Sequence, residues 1–200
     1  MSVEWIRGEG YYANSYVSGG ILVDAGNYPM SYEKFKDEID TIVITHCHFD
    51  HIAHLKEAAH MCDAKICIHE ADAEGLMDDS QSLSVVFSER SPGIAPDRIL
   101  RDGDIVGNYE VIHTPGHTKG GICLYDRESK NLISGDTVFT DGDFGRFDFP
   151  GGSVEALRTS IKRLSLLDVE GLYPGHGMPV KSGGSRHISA ALHSLETSYL

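Results

Sequence analysis

Short runs of β-branched and aliphatic residues alternate along this chain with stretches of helical periodicity, and turns containing Gly, Pro or Asp separate them. Ile21-Leu22-Val23-Asp24 and Thr41-Ile42-Val43-Ile44-Thr45 are continuous apolar runs bounded by turn residues, the pattern of strands buried on both faces. From His51 to Met61, Ile52, Leu55, Ala58 and Ala59, followed by Cys62, fall at helical spacing and predict one amphipathic helix. Lys65–His69 reads as a further strand, residues 70–77 as a helix, and residues 80–96, which lose all periodicity, as a loop or lid. Residues 98–106 and 109–112 flank Gly107-Asn108, a hairpin turn. Two more strands are expected at 122–125 and 131–134. Val154, Leu157, Ile161, Leu164 and Leu167 then mark an amphipathic helix, followed by a strand at 171–173 and a helix from Ser185 onward. At roughly 150 residues per domain, and with no linker or repeat, residues 1–200 read as a single domain of mixed α/β class with helices covering its sheets.

Charge narrows the range of partners. Lys and Arg total 17 against 30 Asp and Glu, a formal net charge of -13. A protein that tracks phosphates needs a basic face, so neither nucleic acid nor an anionic membrane is an expected partner. The start, Met1-Ser2-Val3-Glu4-Trp5-Ile6-Arg7-Gly8, has no basic segment followed by an apolar core, and no apolar run approaches the length of a membrane span. Cys47, Cys62, Cys67 and Cys123 are too sparse for a secreted disulfide framework and read as reduced thiols of a cytoplasmic protein. What stands out against this acidic background is 11 His.

The densest His cluster is Thr45-His46-Cys47-His48-Phe49-Asp50-His51, directly after a buried strand. Alternate side chains of an extended segment share a face, which would align His46, His48 and Asp50, while the turn into the next helix redirects His51. These residues could serve one metal ion or two adjacent ones. Three later apolar runs end the same way, in Gly-containing loops that lead to His117, Asp136 and His176. Potential ligands at the ends of rigid strands, on loops where Gly permits close backbone approach, are what a preorganised metal site requires.

Residue by residue, from Leu22-Val23-Asp24-Ala25-Gly26 to Pro174-Gly175-His176-Gly177, the chain resembles the metallo-β-lactamase superfamily. The resemblance implies an αββα four-layer sandwich, two mixed sheets flanked by helices. It also implies His46, His48 and His117 on a first metal, Asp50, His51 and His176 on a second, and Asp136 between the two. Asp24 would orient ligands without binding metal, although the residue alone reads equally well as a turn Asp. Nitrogen and carboxylate donors without thiolate suit zinc, iron or manganese; two divalent ions are expected, zinc first among them. Cys47, on the opposite face of an extended segment, reads as a small core residue.

The resemblance further implies a hydrolase whose nucleophile is a hydroxide bridging the two metals, with Asp50 orienting it and accepting its proton. Gly135-Asp136-Thr137-Val138-Phe139, with the segment from Gly145 to Ser153, is most similar to short glyoxalase II-like enzymes, which hydrolyse hydroxyacyl-glutathione thioesters. A thiol leaving group with a pKa of about 8.5 needs little acid assistance, which suits a site with no dedicated general acid. The expected substrate is a small anionic thioester, with Arg146 and Lys119 as candidate contacts. The alternative reading of Arg146 is an ordinary loop Arg paired with Asp148. Two alternatives use the same residues: a persulfide dioxygenase with one iron on His46, His117 and Asp136, and a metal-stabilised binding scaffold without turnover. His54 stands where the family usually carries a small residue, and reads as either a determinant of substrate choice or an exposed helix His. His113 reads as a packing or hydrogen-bonding residue, and His60, His69, His187 and His193 as surface or structural.

Overall fold

Six strands of the first half of the chain form one mixed sheet: β1 (Glu4–Ile6), β2 (Ser15–Ser18), β3 (Ile21–Val23), β4 (Thr41–Ile44), β5 (Lys65–His69) and β6 (Arg98–Leu100). They lie in sequence order, antiparallel from β1 to β3 and parallel from β3 to β6. The continuous apolar runs are the central strands, as their lack of alternation predicts for a sheet covered on both faces. Val23 sits opposite Val43, and Ile44 opposite Ile68. This computed structural model describes residues 2–198 and divides into two compact units, Met1–Leu100 and Arg101–Leu200. The first unit holds this sheet and two short helices, α1 (Phe49–Ile52) and α2 (Leu55–Cys62). Leu22, Ile42, Ile44, Ile52, Leu55, Ile66 and Ile68 pack together as its core.

Three expectations require correction. The single helix expected from His51 is interrupted at Ala53-His54. His54 adopts φ -118° and ψ 23°, its N–H donates to the Ala25 carbonyl, and its own carbonyl starts α2 by accepting from Ala58. Only a 3₁₀ turn at Ala73–Leu76 appears within the helix expected at 70–77. Gly75 weakens helical propensity there and lies so close to Cys47 that a Cβ would come within 2.5 Å of the Cys47 Sγ. The strand expected at 98–106 is divided, because the polar run Arg101-Asp102-Gly103-Asp104, with Gly103 at φ 84°, cannot continue a ladder. Residues 80–96 are irregular as expected, apart from a 3₁₀ turn at Ser84–Phe87.

In the second unit β7 (Ile105–Val106), β8 (Tyr109–His113), β9 (Ile122–Asp126), β10 (Asn131–Gly135) and β11 (Gly171–Pro174) form another mixed sheet, in the order β11-β10-β9-β8-β7. Gly107-Asn108 does turn β7 into β8, and β10 runs parallel to β11. A parallel pair needs a crossover, and the chain between them supplies the amphipathic α3 (Val154–Leu164). With α4 (Gly184–Ser198) it buries Leu157, Ile161, Leu164, Ile188 and Leu195 together with Ile112, Leu132 and Leu172. The four Cys are free and buried. Among the described residues no helix is long and apolar enough to cross a membrane.

The N-terminus of α3 is set by Ser153, whose Oγ accepts from the Ala156 N–H at 3.3 Å. Removing that cap by Ser153→Ala should lower stability by about 1 kcal/mol, while Ser153→Gly loses only a few tenths. Urea unfolding should show this as a shifted midpoint at constant slope, and equal midpoints for Ala and wild type would exclude a capping role.

Candidate metal centre

The first unit gathers its four candidate ligands where β4 passes into α1. His46 and His48 are buried at 2% and 4% exposure and His51 is fully buried. A ring nitrogen of His46 lies within 4.8 Å of one on His48 and one on His51, and an Asp50 carboxylate oxygen is equally close to His51. Asp50 departs from the expected geometry, since it lies within α1 rather than on an extended segment with His46 and His48. The helical turn still brings its Oδ2 to 3.7 Å from the His51 Nε2. Cys47 faces the opposite way, as alternation predicts. Its N–H donates to Asp72, its thiol meets the Gln81 carbonyl, and burial pushes the thiol pKa up.

Hydrogen bonds on the far side of the rings decide which nitrogens face a metal. Asp24, 2% exposed at the end of β3, accepts from the Thr45 N–H, the Thr45 hydroxyl and the His51 Nδ1–H, each at 2.8 Å. Having given its proton to Asp24, the Thr45 hydroxyl is an acceptor for His46 Nδ1–H at 3.2 Å. Both rings are thereby assigned the tautomer that leaves Nε2 as the lone-pair nitrogen. Asp24 satisfies both sequence readings, for it also occupies a left-handed turn position at φ 59°. Gly26 is required beside it, because a Cβ there would fall 1.7 Å from the Asp50 carbonyl oxygen.

The second unit gathers the other three. Asp136 follows Gly135 at the end of β10, and its Oδ2 lies 3.6 Å from the Nε2 of both His117 and His176. His176 follows β11 and stays close because the Gly175 N–H donates to the Gly135 carbonyl. His117 gives its Nδ1–H to the Arg146 carbonyl at 2.5 Å, which again leaves Nε2 for a metal. Here too the backbone approaches too closely for side chains. A Cβ on Gly145 would meet the Asp136 carbonyl at 1.9 Å, and one on Gly116, at φ 136°, would meet the Leu157 nitrogen at 2.3 Å.

Arg146 therefore enters the site through a backbone carbonyl, a role no side-chain pattern signals. Its guanidinium is exposed, bidentate to Asp148 at 2.9 and 2.7 Å, and 4.3 Å from the Phe149 ring centre. The pairing raises the Arg146 pKa and holds Asp148 below the usual carboxylate range. Lys119 is exposed, and its carbonyl accepts from His113 Nε2 at 2.9 Å, the hydrogen-bonding role expected of His113. His54 lies against Tyr12 and Tyr28.

A donor set of imidazole nitrogens and carboxylates, with rings held from behind, is consistent with two metal ions. The family model for the metallo-β-lactamase superfamily matches residues 9–176. The chain belongs to that superfamily. The probable metallo-hydrolase MJ0888 of Methanocaldococcus jannaschii is 35% identical over 195 residues, covering 86% of this chain and 91% of its own. The hydroxyacylglutathione hydrolase GloC of Haemophilus influenzae is 30% identical over 188 residues, covering 86% and 87%. A solved structure, TTHA1623 in a di-iron-bound form, superposes with a TM-score of 0.77 at 27% identity over 94% of this chain and 95% of that one. Two mixed sheets with flanking helices are thus those of the metallo-β-lactamase fold, and the donors and relatives mark a metallo-hydrolase of this superfamily.

Asp24→Asn would keep the shape of the side chain but turn an amide donor toward donors. Metal affinity should fall about 10- to 100-fold, measured by chelator competition at neutral pH. Unchanged affinity would show that Asp24 serves only its turn.

Proposed function

We propose that this protein is a dinuclear metal-dependent thioester hydrolase. Its half-sets of donors would hold the same two divalent ions: His46, His48 and His117 on one, Asp50, His51 and His176 on the other, and Asp136 on both. The observation that carries the reading is the orientation of His46, His51 and His117, three rings each anchored through Nδ1 so that Nε2 is presented. The family model spanning both half-sets and the hydroxyacylglutathione hydrolase relative support it. Zinc is the expected metal; the di-iron relative makes iron the alternative to test.

When bound, two divalent ions lower the pKa of coordinated water toward about 7 and polarise a substrate carbonyl. Asp50, partly exposed, is the carboxylate available to orient that water and take its proton. The leaving thiolate of a thioester departs with little acid assistance, since thiols have a pKa of about 8.5. Arg146 and Lys119 are the proposed cations for an anionic thiol carrier. To bind a substrate carboxylate, the Arg146 guanidinium must exchange it for Asp148 or share itself between the two.

Metal content and steady-state hydrolysis of S-lactoylglutathione should be measured on the same sample. Two metals per chain with turnover are expected, and a single iron with oxygen uptake on glutathione persulfide would overturn the hydrolase reading. His48→Ala and His117→Ala should each remove the first ion and abolish turnover, and the double variant should lose no more metal than either alone. Additive metal loss would mean that the half-sets bind separately. Arg146→Ala should raise KM several-fold with little change in kcat, and an unchanged KM would remove Arg146 from substrate binding.

A further inference from the structure

Asp136 and Arg146 are the two ends of one loop in the second unit. The chain between them folds into a short hairpin. Val138 and Phe144 pair antiparallel across it, and the Phe139 N–H donates to the Asp143 carbonyl at 2.8 Å. On the outgoing arm the Phe139 ring stands edge-on to His176, with ring centres 6.2 Å apart. On the returning arm Gly145 passes too close to the Asp136 carbonyl for any Cβ to fit, and the Arg146 carbonyl then accepts from the His117 ring. All three candidate ligands of this unit therefore begin or touch one hairpin.

The tip of that hairpin is held from outside, by α4. His187, buried at 6% exposure, accepts from the Asp141 N–H through Nδ1 at 2.8 Å. A neutral imidazole has one lone-pair nitrogen, and the backbone N–H, which can only donate, claims it over the Arg186 Nε, 3.3 Å from Nε2. His187 is thus the reverse of His46, His51 and His117, whose Nδ1–H groups donate. One turn further along the same face of α4, Ala190 packs against Gly142, where an added Cβ would come 3.0 Å from the Ala190 Cβ. Asp141 occupies the left-handed region at φ 62°, a conformation that a residue other than Gly keeps only where its surroundings fix it. The Asp141 carboxylate is not the contact, since it is 92% exposed and its Oδ1 stands 3.8 Å from the ring.

Resting on the reading of His117, Asp136 and His176 as metal ligands, we propose that His187 is a positioning residue of the metal centre. It acts through the hairpin. By fixing the tip through the Asp141 N–H, it steadies the Arg146 carbonyl that sets the His117 tautomer and the backbone that carries Asp136. Partners behind a ligand ring govern how well that ring binds, and the hairpin extends this control to α4. Without an acceptor at position 187 the tip is released. The binding-competent arrangement is then populated less, and apparent metal affinity falls in proportion.

The test replaces the acceptor and reads metal binding and a ring proton rather than turnover. His187→Leu removes the acceptor and keeps apolar bulk, whereas His187→Asn places an amide oxygen near the position of Nδ1. Chelator competition at neutral pH should show His187→Leu weakening metal binding about ten-fold and His187→Asn staying within about two-fold of wild type. In the full chain with zinc added, nitrogen-15 spectra of the imidazoles should show the Nε2–H tautomer for His187 and a slowly exchanging Nδ1–H for His117. That His117 signal should vanish in His187→Leu and return in His187→Asn. Asp141→Asn, which keeps the N–H and tolerates the left-handed turn, should match wild type. Leu195→Ala, a core change in the same helix, should lower the urea midpoint without weakening metal binding. Unchanged affinity in His187→Leu, equal losses in the Leu and Asn variants, or an equal loss in either control would overturn the proposal. If His187→Leu does not fold, His187→Gln, whose oxygen reaches past that position, takes its place in the same comparison. A His117 signal that depends on position 187 in a protein that binds no metal would keep the hairpin's role and refute the ligand reading. Metal binding through His117 with a signal indifferent to position 187 would do the reverse.

Discussion

One buried carboxylate organises the first half of the metal centre. Asp24 joins the end of β3 to the residue after β4 through two hydrogen bonds from Thr45, and to α1 through His51. A carboxylate at 2% exposure is tolerated only when its lone pairs are satisfied, and here the satisfaction also orients ligands. By accepting hydrogen bonds from the Thr45 hydroxyl and the His51 Nδ1–H it sets the tautomers of His51 directly and His46 indirectly. Stability and ligand orientation therefore rest on the same bonds.

The complementary constraint is steric. Gly26, Gly116 and Gly145 each stand where another backbone passes closer than a Cβ allows. Those close approaches let Asp50, His117 and Asp136 sit at the ends of their elements without intervening side chains. The second unit repeats the logic of the first with different chemistry, since a main-chain carbonyl, that of Arg146, holds the His117 ring where a carboxylate holds His51. Backbone and carboxylate acceptors are interchangeable for this purpose, because each needs only to accept from Nδ1–H.

The acidic charge balance looks different once the donors are placed. Two divalent ions would set four positive charges among the His and Asp side chains of a chain whose formal charge is -13. On the proposed thioesterase reading, an anionic carrier would then be drawn to the ions, with Lys119, and Arg146 once it exchanges Asp148 for the ligand, to assist.

Strand runs without alternation, a helix with apolar residues every three to four positions, the His cluster directly after one strand, and His or Asp after Gly at three later strand ends were all legible in the chain. Each is a local pattern enforced by backbone period or by the conformational freedom of Gly. Identity of the candidate ligands followed from it, and so did the direction of Cys47, away from His46 and His48 and into the core. Other features depended on atoms far apart in sequence. The break at His54 is set by the Ala25 carbonyl, the split of residues 98–106 by pairing of β6 and β7 with different strands, and the helical position of Asp50 by the turn into α1. The anchoring of His117 on the Arg146 carbonyl left no trace in residue type, because every residue carries that group. Residue chemistry is written locally, whereas the partner that selects a tautomer, interrupts a helix or brings a tyrosine beside His54 is supplied by the fold.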